Sequence, residues 1–213
     1  MMLFGPAFSP YIRAARLYAA ELGMTLECSM APFGERIKPG SAEHQALNPF
    51  GKFPVLLTDD FKLFETAAIC RYLDSLAGDK SLLAPLTQQQ RALVDQWTGA
   101  MAIYGRLYTM DGFMLELVFP KGENGQPRMD VIRDHLPQAR SFIAIVEQQL
   151  SQHQWLAGEY YSMADSMLTP FLDHLTRMPV LDDQGPIITA GSACADYLQR
   201  VRARSSAWVL AET

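Results

Sequence analysis

The chain has 213 residues, 49% of them hydrophobic and 19% charged, and its 18 basic and 23 acidic side chains leave a formal net charge of −5. That length can bury one large core or two small ones, and the composition is that of a globular protein rather than a disordered segment or a coiled coil. No block of basic residues stands out, which excludes the usual electrostatic footprint of a nucleic-acid binder, although local groups can still hold a small anion.

Along the chain, MMLFG is a short apolar run closed by a glycine. SPYIRAARLYAAELG then predicts a helix with Ser9 as N-cap, Pro10 at the first helical position and Gly23 beyond its end. TLECSMA alternates, with Leu26, Cys28 and Met30 on one face, and predicts a strand. A polar stretch from Lys38 to Gln45, with room for a further helix, leads to PVLLT and FKLFE. Joined by Asp59-Asp60, these two predict a β-hairpin. TAAICRYLDSLAG closes the segment as a helix ending at Gly78. A parallel strand-helix-strand unit feeding a hairpin and a helix is the layout of an α/β thioredoxin-like domain, expected over residues 1–80.

Beyond the linker LLAPLT the strand signal disappears, and an all-α domain is expected over residues 87–213. Thr87 to Phe119 carries one long helical pattern, with Gly105 and Gly112 as the two places for a kink. FPKGENGQP breaks it, and the helix that follows contains Pro137, which should bend it. SMADSMLTPFLDHLTRM and SACADYLQRVRARSSAW are further helices.

The three cysteines, Cys28, Cys70 and Cys194, are far apart and form no C-x-x-C pair, so neither a disulfide framework nor a metal site is expected. The N-terminal MMLFGPAFSPYIR has no basic start ahead of a long apolar run, and no apolar run approaches the length of a membrane span. A cytoplasmic protein is the expectation.

Three motifs in the right order carry a family resemblance. NPFGKFPVLLTDDFKLFETAAICRYL resembles the glutathione-binding core of the cytosolic glutathione transferases. GPAFSPYIRAARLYAAEL is similar to the segment bearing the active-site serine in their serine-type, phi-like members. QHQWLAGEYYSMADSMLTPFLDHL resembles the Leu-Ala-Gly and Ser/Thr-x-x-Asp helix start of their second domain. The resemblance implies a thioredoxin-like N-terminal domain, an all-helical C-terminal domain, a homodimer, and glutathione as co-substrate without any other cofactor.

Each motif has a structural and a functional reading. A proline ahead of a strand costs no ladder bond, so Phe53-Pro54 can be a plain edge-strand start. The resemblance instead implies a cis bond that aims the Phe53 N–H and C=O at the cysteine backbone of glutathione, like an added strand. Glu65-Thr66 can be a strand end plus a helix cap; the resemblance implies that Thr66 holds the γ-glutamyl carboxylate at a helix N-terminus while Glu65 faces the ammonium. Lys52 and Lys38 can be ordinary solvated lysines, or can hold the glycyl carboxylate.

Ser9 decides the chemistry. As a cap it does nothing further. In the serine-type members the hydroxyl donates to the glutathione sulfur and stabilises the thiolate. A free thiol titrates near ~8.5, and a hundredfold increase in thiolate requires about 2.7 kcal/mol. A hydrogen bond to a charged group contributes roughly 1.5–3 kcal/mol and a helix N-terminus roughly 0.3–1 kcal/mol, so one hydroxyl at a helix start can supply most of the shift. Tyr11 competes for this role, and Arg13 either supports the site electrostatically or is a solvated helix residue. For the electrophile, Tyr11 and, on the long helix, Tyr104, Tyr108 and Phe113 are candidates, with Met101 and Met114 as adaptable neighbours, although such a stripe at helical spacing also describes a core. Ser162 and Asp165 have capping-box spacing and read as structural.

Three departures from the family pattern are Phe53, where a β-branched residue is usual, RARSSAW, which lacks an Arg-Pro step, and PIITAGSACADYL, which matches poorly. The implied activity is attack of the glutathione thiolate on a hydrophobic electrophile, with no nucleic acid and no membrane as partner. A glutathione-dependent peroxidase or dehalogenase is open within the enzyme reading. The reading from a different class is a catalytically weak relative that acts as a protein-interaction module.

Overall fold

Met2–Phe4 forms β1, Glu27–Ser29 forms β2, Val55–Leu57 forms β3 and Lys62–Phe64 forms β4 in a computed structural model that describes residues 1–211. They make one sheet of order β2-β1-β3-β4. β1 pairs parallel with β2 and antiparallel with β3, which pairs antiparallel with β4. Leu3 and Phe4 are both fully buried although successive strand residues face opposite ways, so both faces of the sheet are covered. Thr58 holds the hairpin turn: its hydroxyl donates to the Phe61 carbonyl at 2.9 Å and accepts from the Phe61 and Asp60 N–H groups.

Pro10–Glu21 forms α1, Ala42–Leu47 the short helix α2 and Thr66–Leu76 forms α3. α1 ends at the Leu22 cap, with Gly23 at φ 74°, as its glycine led one to expect. α1 packs against α3, and Ile12 and Leu17 of the first and Ile69 and Leu73 of the second are fully buried. Between them lies the buried Asp74 carboxylate, which accepts from the Tyr18 hydroxyl at 2.7 Å, the Ser81 hydroxyl at 2.5 Å and the Leu82 N–H at 2.9 Å. One carboxylate thereby ties α1 and α3 to the start of the linker.

The chain divides into two compact units, Met1–Arg91 with the segment from Ala203 onward, and Ala92–Arg202. The C-terminal segment thus groups with the thioredoxin-like unit. Arg204 makes two bonds to the Glu21 carboxylate, at 2.8 and 2.6 Å, and the Ser206 hydroxyl donates to the same group. The Arg16 guanidinium lies 5.1 Å from the centre of the Trp208 ring. Trp208–Ala211 forms the final helix α9, so the single C-terminal helix expected from sequence is broken by a 3₁₀ turn at Ser205–Ala207.

The second unit is helical. Gln88–Ala100 forms α4, and its continuation Met101–Met114 has π-type hydrogen bonding, ending in Leu115–Val118, α5. The kink falls at Asp111-Gly112, not at Gly105. Gly112 has φ 73°, and a Cβ there would lie 2.4 Å from the His135 ring, so space and backbone both demand glycine. Gly105 serves close packing instead: a Cβ would meet Phe171 at 2.9 Å. Met129–Gln152 forms α6, which continues through Pro137. Met163–Leu175 forms the almost wholly buried α7, and Ala193–Arg202 forms α8. At the start of α7 the Ser162 hydroxyl accepts from the Ala164 N–H, while Asp165 accepts from the Ser162 N–H at 2.9 Å and the Leu156 N–H at 2.8 Å. Burial pushes the Asp165 carboxyl up to about 6 despite these donors.

Candidate functional site

Strand direction gathers the sequence-predicted residues of the first unit. β1 and β3 run antiparallel with Phe4 opposite Val55, and β3 and β4 run antiparallel with Val55 opposite Phe64. The C-terminal ends of β1 and β4 therefore lie at the same edge of the sheet as the N-terminal end of β3. β1 leads out to Ser9, β3 is entered through Phe53-Pro54, and β4 leads out to Glu65-Thr66. β2, parallel to β1, ends at this edge too and leads into the loop carrying Lys38. Two helices, α1 and α3, begin here, so their N-terminal N–H groups and positive dipole ends belong to this edge.

Ser9 occupies the N-cap position of α1, with φ −62° and ψ 130°. Its N–H donates to the Pro6 carbonyl at 3.0 Å, and its C=O accepts from Arg13 N–H at 2.9 Å. The backbone is thus locked, but the hydroxyl makes no capping bond to the helix. It is half-buried. The simple capping reading of Ser9 therefore does not describe this side chain. Tyr11, half-buried in the first turn of α1, and the buried Arg13 follow on the same helix.

α3 begins at Thr66, so the cap position falls on Glu65 and not on the threonine. Thr66 is buried, Glu65 is exposed, and no side chain caps this helix either. Glu65 stands at φ 70°, ψ 115°, a conformation that side-chain-bearing residues rarely adopt and that costs on the order of 1–3 kcal/mol. Nothing in the sequence signals this backbone.

The Phe53-Pro54 bond is cis. The Phe53 N–H and C=O take no backbone partner among the described residues. The Phe53 ring is held edge-on to Phe4, with centroids 5.2 Å apart, and stacks on His44 at 4.5 Å and 19°. The preceding carbonyl, of Lys52, accepts from Asn48 Nδ2 at 2.9 Å and is 3.2 Å from His44 Nε2. Gly5 lets β1 pass this point: a Cβ there would meet Ile12 at 2.6 Å and the Phe53 ring at 3.1 Å. Lys52 and Lys38 are exposed. Sequence reasoning missed His44 and Asn48 as supports. Asn48 lay inside the quoted motif, while a histidine flanked by polar residues gave no sign of complete burial.

In the second unit Tyr104 and Tyr108 stack with centroids 5.7 Å apart and planes at 20°, and Tyr104 is 47% exposed. Phe113 has no exposed surface, and Met101 and Met114 are almost as deeply buried, so these three belong to the core side of the stripe. Burial pushes the Cys70 thiol up to about 12 and the Cys194 thiol well above its usual range, so neither offers a thiolate near neutral pH. Among the described residues no His, Cys, Asp and Glu side chains gather in a group able to hold a metal ion, and no helix is long and apolar enough to cross a membrane. The first unit's edge thus offers two uncapped helix starts, a hydroxyl, a carboxylate and a hydrogen-bonding strand entrance. That set suits an extended anionic peptide.

The family profile "Glutathione S-transferase, N-terminal domain" matches residues 3–81, and "Glutathione S-transferase, C-terminal domain" matches residues 109–184. Glutathione S-transferase F10 of Arabidopsis thaliana is 30% identical over 213 residues, covering 98% of this chain and 89% of the plant protein. The crystal structure of glutathione transferase F7 from Populus trichocarpa superposes with a TM-score of 0.79 at 20% identity, over 99% of this chain and 97% of that one. A theta class glutathione S-transferase of Xanthomonas axonopodis pv. citri, solved with glutathione bound, also gives 0.79, at 23% identity over 100% of this chain and 97% of that one.

Proposed function

The chain belongs to the glutathione S-transferase family, and from that membership we propose that it transfers glutathione to hydrophobic electrophiles with Ser9 stabilising the thiolate. The observation that carries this reading is the pair of uncapped helix starts at one sheet edge. Ser9 at the α1 cap position and Glu65 at the α3 cap position both leave their helix start without a side-chain cap. The γ-glutamyl carboxylate takes the start of α3, accepting from the Thr66 hydroxyl and backbone N–H, and Glu65 faces the ammonium. The cysteine backbone pairs with the Phe53 N–H and C=O, and Lys52 and Lys38 face the glycyl carboxylate.

The sulfur then lies at the start of α1, where the Ser9 hydroxyl donates to it. Deprotonation releases the thiol proton to water; the thiolate attacks the electrophilic carbon, forming the C–S bond as the leaving group departs or, in an addition, as the electron pair moves onto the acceptor. Ser9 keeps its proton throughout and is not a nucleophile. No other cofactor takes part. Of the aromatic candidates for the electrophile on the second unit this reading keeps the exposed Tyr104 and the half-buried Tyr108 stacked on it, and Phe113, fully buried, is left out. A homodimer located in the cytoplasm completes the proposal.

Calorimetric titration with glutathione, followed by conjugation assays with an aromatic halide and an unsaturated carbonyl compound, tests it. Binding with turnover of either electrophile supports the transferase. Tight binding with turnover of a hydroperoxide alone replaces it with the peroxidase, and no binding at millimolar glutathione replaces it with the protein-interaction module.

A further inference from the structure

His44 is fully buried on the six-residue helix α2, and every polar atom of its ring is engaged. The Gly40 N–H, which can only donate, lies 3.0 Å from Nδ1, and the Lys52 carbonyl, which can only accept, lies 3.2 Å from Nε2. These two partners select one form of the ring, neutral with its proton on Nε2. The imidazole therefore bridges two loops. Gly40 belongs to the turn closed by the Ser41 N–H bond to the Lys38 carbonyl, and Lys52 precedes Phe53. The loops also run close together, since a Cβ added on Gly51 would lie 3.9 Å from the Gly40 Cα. The ring stack on Phe53 and the edge contact with Phe4, at 5.1 Å, fix the imidazole plane.

We infer that His44 is a positioning residue: by clamping the Lys38–Gly40 turn to the Lys52 carbonyl it sets the spacing of the two lysines, and so the recognition of the glycyl end of glutathione. This rests on the reading of the groove as a glutathione site. His44 touches neither the thiol nor the electrophile, so its effect falls on binding and not on the chemical step.

The test compares glutathione with γ-glutamylcysteine, which lacks the glycyl carboxylate, on wild type, His44→Phe and His44→Gln. Phenylalanine keeps a ring against Phe53 and loses both bonds; glutamine keeps a donor and an acceptor. Loss of a clamp of this kind is expected to raise the glutathione KM of His44→Phe about five- to tenfold with kcat within about twofold. The dissociation constant for γ-glutamylcysteine should be the same in wild type and variant, and His44→Gln should recover most of the loss. Equal losses on both ligands, or a fall in kcat matching the rise in KM, would overturn the proposal. Should His44→Phe not fold, nitrogen NMR of the wild-type histidine decides: a proton on Nδ1 would refute the bridge, and a neutral ring protonated at Nε2 supports it. Wild type binding neither ligand would instead overturn the reading of the groove itself.

Discussion

Ser9 and Ser162 stand at the same position of two helices and do opposite things. At the start of α7, Ser162 and Asp165 satisfy each other's backbone, and the whole arrangement is buried. At the start of α1, Ser9 has the extended backbone of a cap, a proline follows at the first helical position, and the hydroxyl makes no bond to the helix. α3 repeats the second pattern, with Glu65 and Thr66 at its start and no side-chain cap. A helix start that closes on itself stabilises the fold. One that leaves its donors uncommitted at a sheet edge can hold an anion. The same residue types serve both ends, and what separates them is whether the side chain turns inward to its own backbone.

The largest effect should come from breaking the closed helix start. Asp165→Ala leaves the Leu156 and Ser162 N–H groups buried without acceptors, which should cost on the order of 3 kcal/mol or more. Chemical denaturation of the variant reads this, and an unchanged midpoint would contradict the account of α7. Next is Ser9→Ala, which should lower kcat/KM for conjugation about 10- to 100-fold, the worth of one charge-assisted hydrogen bond. Stability should move by less than about 0.5 kcal/mol, because no cap is lost. Ser162→Ala should show the reverse, a loss of about 1 kcal/mol in stability with kcat unchanged.

Glu65→Gly sharpens the contrast further. Glycine accepts φ 70° without strain, so stability should hold or rise by up to about 1 kcal/mol while glutathione binding weakens. Simultaneous loss of both would mean that Glu65 is structural. The smallest effect is on pH dependence. Burial raises the Asp165 carboxyl from 3.8 to about 6, so the folded state favours its protonated form. The stability linked to that proton is fully present below the ordinary carboxylate value and is lost as pH rises through about 6. Denaturation of wild type and Asp165→Asn between these limits should show this slope in wild type alone.

Much of the fold was legible. Pro10 and Gly23 bracket α1 because a fixed φ and a left-handed exit each favour a particular residue, while Ser9 stands at the cap position as expected but makes no side-chain cap. The hairpin was visible in two short strand-like runs joined by Asp59-Asp60. Long-range packing was not. Gly105 and Gly112 look alike in sequence, and only Phe171 and His135 tell a packing glycine from a kink glycine. The return of the C-terminal segment to the first unit depends on Arg204 meeting Glu21 and on Trp208 meeting Arg16, pairs no local pattern announces. At the site, motif residues fell at one sheet edge because strand direction puts them there, but the strained backbone of Glu65 and the bridging role of His44 arise from tertiary contacts. Local pattern names the residues; tertiary contact decides their orientation.

The most direct measurement is the thiol pKa of bound glutathione, followed by ultraviolet thiolate absorbance against pH in wild type and Ser9→Ala. A wild-type value lowered by enough to give roughly a hundredfold more thiolate, returned most of the way to ~8.5 in the variant, is what an uncommitted hydroxyl at an open helix start predicts. A lowered value that survives the loss of Ser9 would contradict it and transfer the role to another group, with Tyr11 the first to replace.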